Sequence, residues 1–349
     1  MSDTSKLRRR AQNALKDGTP PPSIESANKG NLDKMVTTGS TLLDLAISGE
    51  VSERGGVPSG VLVEVFGASG SGKSALVSEM AGHAINNGGT AAILDPEGRL
   101  DHEHAKIYGL DMTKVDYSMP DTVTDIFEYM DKWEPATEEA TNLIMVDSLA
   151  ALSTNMEMKE NDAMGMRRAK EFSEGLRKLC RRIKKNDWIV ACTNQVRVNV
   201  KTGGVSTPGG LGVGFYSSIR IKIAPAYKNG KLKKVVTVNG TKQEKIYGVK
   251  SECTIVKSSV DAPFRVAPIF LVFDYGIDNL RANLLYLQEN GADGIFSFKD
   301  FSCKTINKAI EYAEEHELET DIENRVITLW REIQRELATP RKRKKGRIE

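Results

Sequence analysis

The chain has 349 residues, enough for one large α/β core and a smaller module. Its 49 Lys and Arg against 47 Asp and Glu leave a formal charge of +2, so any attraction to nucleic acid has to come from local clusters and not from an overall field. No apolar run reaches the roughly eighteen residues of a membrane span, the N-terminus lacks an apolar signal core, and the four cysteines show no C-x-x-C spacing; these features point to a cytoplasmic protein with structural thiols, without a membrane or zinc site.

Residues 1–37 read as an arm and linker: a short amphipathic stretch with Leu7, Ala11, Ala14 and Leu15 on one side, a basic run at Arg8, Arg9 and Arg10, then the breaker cluster Gly18, Thr19, Pro20, Pro21 and Pro22. From residue 38 apolar runs at 61–66, 90–94, 143–146, 188–193 and 219–224 alternate with helical stretches at 73–86, 121–133 and 165–185. Such alternation predicts a mostly parallel sheet flanked by helices, with ligands gathered at the carboxyl ends of the strands. The core is expected to run over 38–278.

The first apolar run leads directly into Gly67, Ala68, Ser69, Gly70, Ser71, Gly72, Lys73 and Ser74, a full phosphate-loop pattern, and Ala75 continues into a helix. Backbone N–H groups of such a loop face the β-phosphate, Lys73 reaches the β and γ phosphates, and Ser74 offers a Mg²⁺ ligand, so ATP and Mg²⁺ are the expected cofactors. Glu97 follows the second run, where a carboxylate could deprotonate an attacking water. Asp147 closes the run 143–146 and is a second candidate for the Mg²⁺ shell. Gln195 follows the run 188–193 and roots a glycine-rich segment, 196–214, with six glycines between Gly203 and Gly214. That composition predicts a loop without a packed element, mobile until a ligand orders it; residues 153–164 are a second such loop.

A β-rich insertion follows, with type I′ turn signals at Asn229-Gly230 and Asn239-Gly240. Its Lys228, Lys231, Lys233 and Lys234 make it a candidate contact for duplex DNA, with a solvated strand edge as the alternative. Residues 279–339 read as a small α+β C-terminal domain. In it Thr320 to Glu323 have capping-box spacing, and Ile322, Val326, Leu329, Trp330, Ile333 and Leu337 form one apolar stripe. Residues 340–349 are expected to be a disordered tail, with six basic residues between Arg341 and Arg347. Such a tail should raise affinity for duplex DNA in a salt-dependent way.

These motifs, together with Thr38-Gly39-Ser40-Thr41-Leu42-Leu43-Asp44, Asp95-Pro96-Glu97-Gly98-Arg99, Thr193-Asn194-Gln195-Val196-Arg197 and Phe215-Tyr216-Ser217-Ser218-Ile219-Arg220, resemble RecA-type homologous recombinases, within them a bacteriophage, UvsX-like group. The resemblance implies a RecA-like P-loop ATPase that polymerises as a helical homo-oligomer on single-stranded DNA, holds ATP between subunits, and exchanges strands with double-stranded DNA. A single-strand-binding protein and a loading mediator are implied as further partners. It also implies Glu97 as catalytic carboxylate, Gln195 as γ-phosphate sensor, Lys257 as a lysine reaching the neighbour's γ-phosphate, and Phe215 as part of the subunit contact. Asp101 and His104 fall among the cofactor-binding positions, His104 where a tyrosine often stacks on adenine. Arg167, Arg168, Arg177, Arg197, Lys201, Gly209 and Gly210 fall among the DNA-binding positions. Ser259 replaces a second interface lysine, for which Arg265 is a possible substitute. That loss keeps open an ATP-clamped, single-strand-coating scaffold with little turnover, and a hexameric helicase is the third reading.

Overall fold

The computed structural model describes residues 29–152, 165–198, 205–206, 210–226, 230–291 and 294–338; residues 1–28 of the arm and linker, residues 153–164, Lys201, Gly209, Lys228, Asn229 and the basic tail lie outside them. Among the described residues, no helix is long and apolar enough to cross a membrane.

The centre is a sheet built from β3 (Val61–Gly67), β4 (Ala91–Leu94), β5 (Val115–Ser118), β6 (Asn142–Val146), β7 (Trp188–Gln195), β10 (Ile219–Pro225), β12 (Thr241–Ser258), β13 (Val266–Val272) and β14 (Gly276–Ile277). Three short pairs lie outside it among the described residues: β1 (Asn31–Val36) with β2 (Val57–Ser59), β8 (Arg197–Val198) with β9 (Val205–Ser206), and β15 (Phe296–Ser297) with β16 (Ser302–Cys303). The spatial order across the sheet is β5-β4-β6-β7-β3-β10-β12-β13-β14. The run from β5 to β10 is parallel, whereas β12, β13 and β14 are added antiparallel. β3, β4, β6 and nearly all of β7 are buried, which is why they read as continuous apolar runs.

Helices cover both faces. On one, α1 (Thr41–Ser48) and α2 (Lys73–Asn86) pack Leu43, Leu45, Leu76 and Met80 against Val63, Val65 and Ile93. On the other, α3 (Val123–Lys132) and α4 (Gly165–Lys185) pack Ile126, Met130, Leu176 and Leu179 against Leu62, Ile144 and Val190. α3 opens on a reciprocal capping box in which the Thr122 hydroxyl accepts from Asp125 N and Asp125 accepts from Thr122 N.

Two sequence expectations are corrected here. The segment 196–214 does contain a packed element: α5 (Gly210–Tyr216) buries Val213 completely and lies against α4. A Cβ at Gly212 would stand 2.3 Å from Ser173 Oγ, so the glycines permit close helix approach instead of preventing structure. Thr320 to Glu323 do not form a capping box. Helix α8 (Glu319–Glu336) begins before them, on Leu318, with no side-chain cap; Glu317 at φ 54° turns the chain into it.

The apolar stripe of α8 is divided. Ile322 joins a small cluster with Leu280 and Leu284 of α6 (Asn279–Asn290), Phe296, and Ala309 and Ala313 of α7 (Ile306–Glu315). Val326, Ile327 and Trp330 join the main core beside α1, while Leu337 is 71% exposed.

The turn from β1 into α1 is held by one buried carboxylate. Asp44 accepts from Thr38 N at 2.8 Å, from Thr38 Oγ1 at 2.6 Å and from Thr37 Oγ1. Burial outweighs these bonds and raises its pKa from 3.8 to about 7. The native state therefore keeps the proton that the unfolded chain gives up, and stability from this group is full below about pH 4 and lost as pH rises toward 7. Glu79, raised to about 6 by burial, adds a smaller step of the same sign. At 1.36 kcal/mol per unit, Asp44→Asn should gain on the wild type by about 4 kcal/mol between pH 4 and pH 7. Urea denaturation of both proteins across that range measures it, and a difference independent of pH would refute the assignment.

Candidate nucleotide site and its buried relay

The parallel register decides which side chains meet. Gly67 of β3 lies opposite Gln195 of β7 and Ile223 of β10, while Val146 of β6 lies opposite Cys192. The phosphate loop, Asp147, Glu97 and Gln195 therefore leave the sheet at one carboxyl edge.

The loop itself is a turn that only glycine completes. Gly70 and Gly72 have φ of 70° and 98°, and a Cβ at Gly72 would stand 2.2 Å from Leu271. A Cβ at Gly67 would stand 2.0 Å from the Ile223 carbonyl oxygen. Ala68, Ser69 and Gly70 are exposed at the rim, while Ser71 is buried and donates to Ala68 O at 2.8 Å. Ser251 of β12 donates to Ser71 O at 3.0 Å and fastens the loop from the antiparallel side. No side chain caps α2, so the N–H groups of its first turn face the loop.

Lys73 Nζ donates to Ala68 O at 2.9 Å. Burial lowers its pKa, opposed by the charges of Asp147 and Glu97. Ser74 donates to Asp147 Oδ1 at 3.0 Å, and Thr193 Oγ1 donates to the same oxygen at 2.6 Å. Burial raises the Asp147 pKa, these two hydroxyls lower it, and Asp95 and Glu97 nearby raise it again. The next residue, Ser148, is held at φ 70°, a conformation rarely adopted by a side-chain-bearing residue, with its N–H on Thr193 Oγ1 at 2.7 Å.

Glu97 is half-buried and ion-paired with Arg99 at 2.7 Å. The turn carrying it is more than polar punctuation: buried Asp95 accepts from Leu100 N at 2.9 Å and from the Tyr117 hydroxyl at 3.1 Å. Asp101 is exposed and accepts from Glu103 N at 2.8 Å at the start of the short helix His102–Ala105; the His104 side chain is outside the described residues.

A second group, which the sequence reading missed, links Gln195 to α5. Its N–H donates to Asn194 Oδ1 at 3.0 Å, and Asn194 Nδ2 donates to Glu64 Oε1 at 3.0 Å. Glu64 has no exposure and binds Arg220 Nε through its other oxygen at 2.5 Å, and the Arg220 guanidinium lies 4.7 Å from the Phe66 ring centre. Lys257, opposite Arg220 on β12, donates to the carbonyls of Gly214 and Phe215 at 2.9 and 2.7 Å. Lys257 is thus placed away from its own phosphate loop, at the C-terminal end of α5 where Phe215 is 74% exposed. The visible signal was Glu64, a single carboxylate inside an otherwise apolar strand.

Arg177 is exposed on α4; Arg167 and Arg168 lie on the same helix and Arg197 on β8, in each case with only the backbone described, and Gly210 opens α5. Arg265 is tied within its own chain to Glu50 and Asp261 and lies 5.4 Å from the Trp330 ring centre, so to serve a neighbour it would have to release both carboxylates.

A strand, a glycine loop, a helix bearing Lys and Ser, and a neighbouring strand ending in Asp define the nucleotide-binding core of a P-loop ATPase. The chain belongs to the RecA family: the RecA N-terminal domain matches residues 24–278. It is 31% identical to Protein RecA of Nitratiruptor over 309 residues, covering 83% of both chains, and 29% identical to Protein RecA of Delftia acidovorans over 304 residues, covering 84% of this chain and 78% of that one. The solved RadB recombinase aligns with a TM-score of 0.49 at 18% identity, over 70% of this chain and 98% of that chain. The fold is RecA-like, and the family's general activity is DNA-dependent ATP hydrolysis in recombination.

Removing one member of the Glu64–Arg220 pair should expose the cost of an unmatched buried charge. Glu64→Ala is expected to lose about 3–5 kcal/mol in urea denaturation, and Glu64→Leu combined with Arg220→Met to regain most of it. Equal stability of Glu64→Ala and wild type would contradict the relay.

Proposed function

We propose that this chain is an ATP-dependent recombinase that forms helical filaments on single-stranded DNA and catalyses homologous pairing and strand exchange with a duplex. The observation that carries the reading is Asp147 accepting from both Ser74 and Thr193 beside Lys73, at the edge where Gln195 roots the segment assigned to DNA. The residues fit ATP and Mg²⁺: the loop and the uncapped start of α2 supply N–H donors, and Ser74 with Asp147 supplies two oxygens on one side of the loop. When bound, Mg²⁺ would offset negative charge on the phosphates.

In this reading residues 67–75 hold the phosphates, Asp101 and His104 border the base, and Ser74 and Asp147 hold the metal. Glu97, oriented by Arg99, takes the proton of the attacking water. Gln195 senses the terminal phosphate and passes its state through Asn194, Glu64 and Arg220 to α5. Lys257 serves a neighbouring subunit, for which it must leave the carbonyls of Gly214 and Phe215. Phe215 and Phe264, each 74% exposed, supply apolar surface for that contact. Arg167, Arg168, Arg177, Arg197, Lys201, Gly209 and Gly210 face DNA, and the basic tail attracts the duplex. A single-strand-binding protein, a loading mediator and a bacteriophage origin, with action in the host cytoplasm, complete the reading.

Two variants separate recombinase from ATP-clamped scaffold. Lys73→Ala should lose ATP binding, DNA-stimulated phosphate release and joint-molecule formation together. Glu97→Gln should keep ATP and single-strand binding while phosphate release falls by roughly 10²–10⁴. Wild-type turnover in Glu97→Gln would remove Glu97 from the chemistry, and a wild type that releases no phosphate with single-stranded DNA would leave the scaffold.

A further inference from the structure

β12 serves both faces of the sheet. It pairs first with β11 (Lys231–Val238), then over residues 248–254 with β13 and over 251–258 with β10. Its register with β10 slips between Ile255 and Lys257, where Val256 is an extra residue, and a bulge of this kind re-aims the side chains that follow. Before it, Cys253 and Ile255 lie in the cluster around α2, and Ser251, two residues earlier, shares their side of the strand. After it, Lys257 reaches the opposite face and holds the end of α5.

Ser251 is 1% exposed, and its hydroxyl donates to Ser71 O at 3.0 Å, joining groups 180 residues apart. A trans peptide holds its C=O and N–H on opposite sides of one plane, so a bond that fixes Ser71 O also fixes the direction of the next N–H, that of Gly72. This N–H therefore points away from β12, and among the described residues it has no acceptor. Nothing local secures the plane. Gly72, at φ 98°, has no Cβ to bar a peptide flip, and the Ser71 hydroxyl is already bonded to Ala68 O. The cross-strand neighbours of Ser251 are Pro225 and Ile269, among which an apolar residue would pack without the cost of a buried hydroxyl.

We propose that Ser251 is a positioning residue for nucleotide binding: its hydroxyl aims the Gly72 N–H at the phosphates before a ligand arrives. The step from geometry to ligand rests on the nucleotide reading of residues 67–75, and on nothing in the DNA-binding part of the proposed function. An N–H already held in place bonds a charged oxygen without any ordering of the loop at the moment of binding. ADP and ATP both carry the β-phosphate that such loops enclose, so both should depend on Ser251.

The test titrates the full chain, without DNA, with N-methylanthraniloyl ADP and ATP in Mg²⁺ buffer, and measures steady-state hydrolysis separately with single-stranded DNA. Ser251→Ala should bind both nucleotides roughly tenfold more weakly, the effect of misdirecting one hydrogen bond to a charged group. KM for ATP should rise by a similar factor while kcat stays within about twofold, because a group that serves ground state and transition state alike changes KM alone. Ser251→Thr keeps the hydroxyl and suits a strand, so it should restore the parent affinity. Ser251→Cys, similar in size with only a weak donor, should also bind more weakly than the parent, and it gives the answer if the Ala variant does not fold. A serine needed only for folding would give an Ala variant that melts lower without nucleotide yet binds ADP as the parent does. That pattern would overturn the proposal, as would a loss confined to kcat, a Thr variant as weak as Ala, or a Cys variant as tight as the parent. A parent chain that binds neither nucleotide would overturn the nucleotide reading along with the proposal, whereas equal affinities in a parent that does bind would remove Ser251 alone.

Discussion

Glu64 is a carboxylate with no access to water in the middle of the central strand, and the architecture around it follows from the need to neutralise it. Arg220 does so from β10 and Asn194 from β7, so the buried charge fixes both neighbours of β3. That same register brings Gly67, Gln195 and Ile223 level. A hydrophobic residue at position 64 could pack as well, but it would leave Asn194 and Arg220 without a reason to face one another, and with them the covalent neighbour of Asn194, Gln195.

The site proper is a set of short bonds gathered by strand ends. Asp147 receives two hydroxyls, Ser148 is held in a left-handed conformation next to it, and Thr193 serves both residues. Position-dependent strain beside a binding group is characteristic of sites whose geometry is set before the ligand arrives. On the opposite face of the sheet Lys257 holds the end of α5 by two carbonyls, so one chain contains both a receiving site and a group aimed away from it. In the proposed filament this asymmetry would suit a head-to-tail contact.

Much of this was legible in the residues. Apolar runs located five parallel strands to within two residues at each end, and the phosphate loop was complete as written. What periodicity could not supply was cross-strand partnership: Thr193 reads as the last residue of a strand, and nothing local announces its bond to Asp147 46 residues away. The glycines of α5 misled for a related reason. Read alone they mean chain freedom, but against Ser173 and Arg220 they mean room for contact. Thr320 satisfied a local spacing rule at a helix start that tertiary packing placed elsewhere, while Thr122 and Asp125 formed the box that the structure uses.

Gly67 opens a motif associated with phosphate, yet the atom that forbids a side chain there is the carbonyl oxygen of Ile223 in the adjoining strand. Selection on that glycine comes from folding as well as from ligand. A descendant that had abandoned nucleotide altogether would still be compelled to retain it, so its persistence in a lineage is no witness to surviving catalysis; Lys73 and Ser74, which no such steric demand protects, are the letters that would drift first.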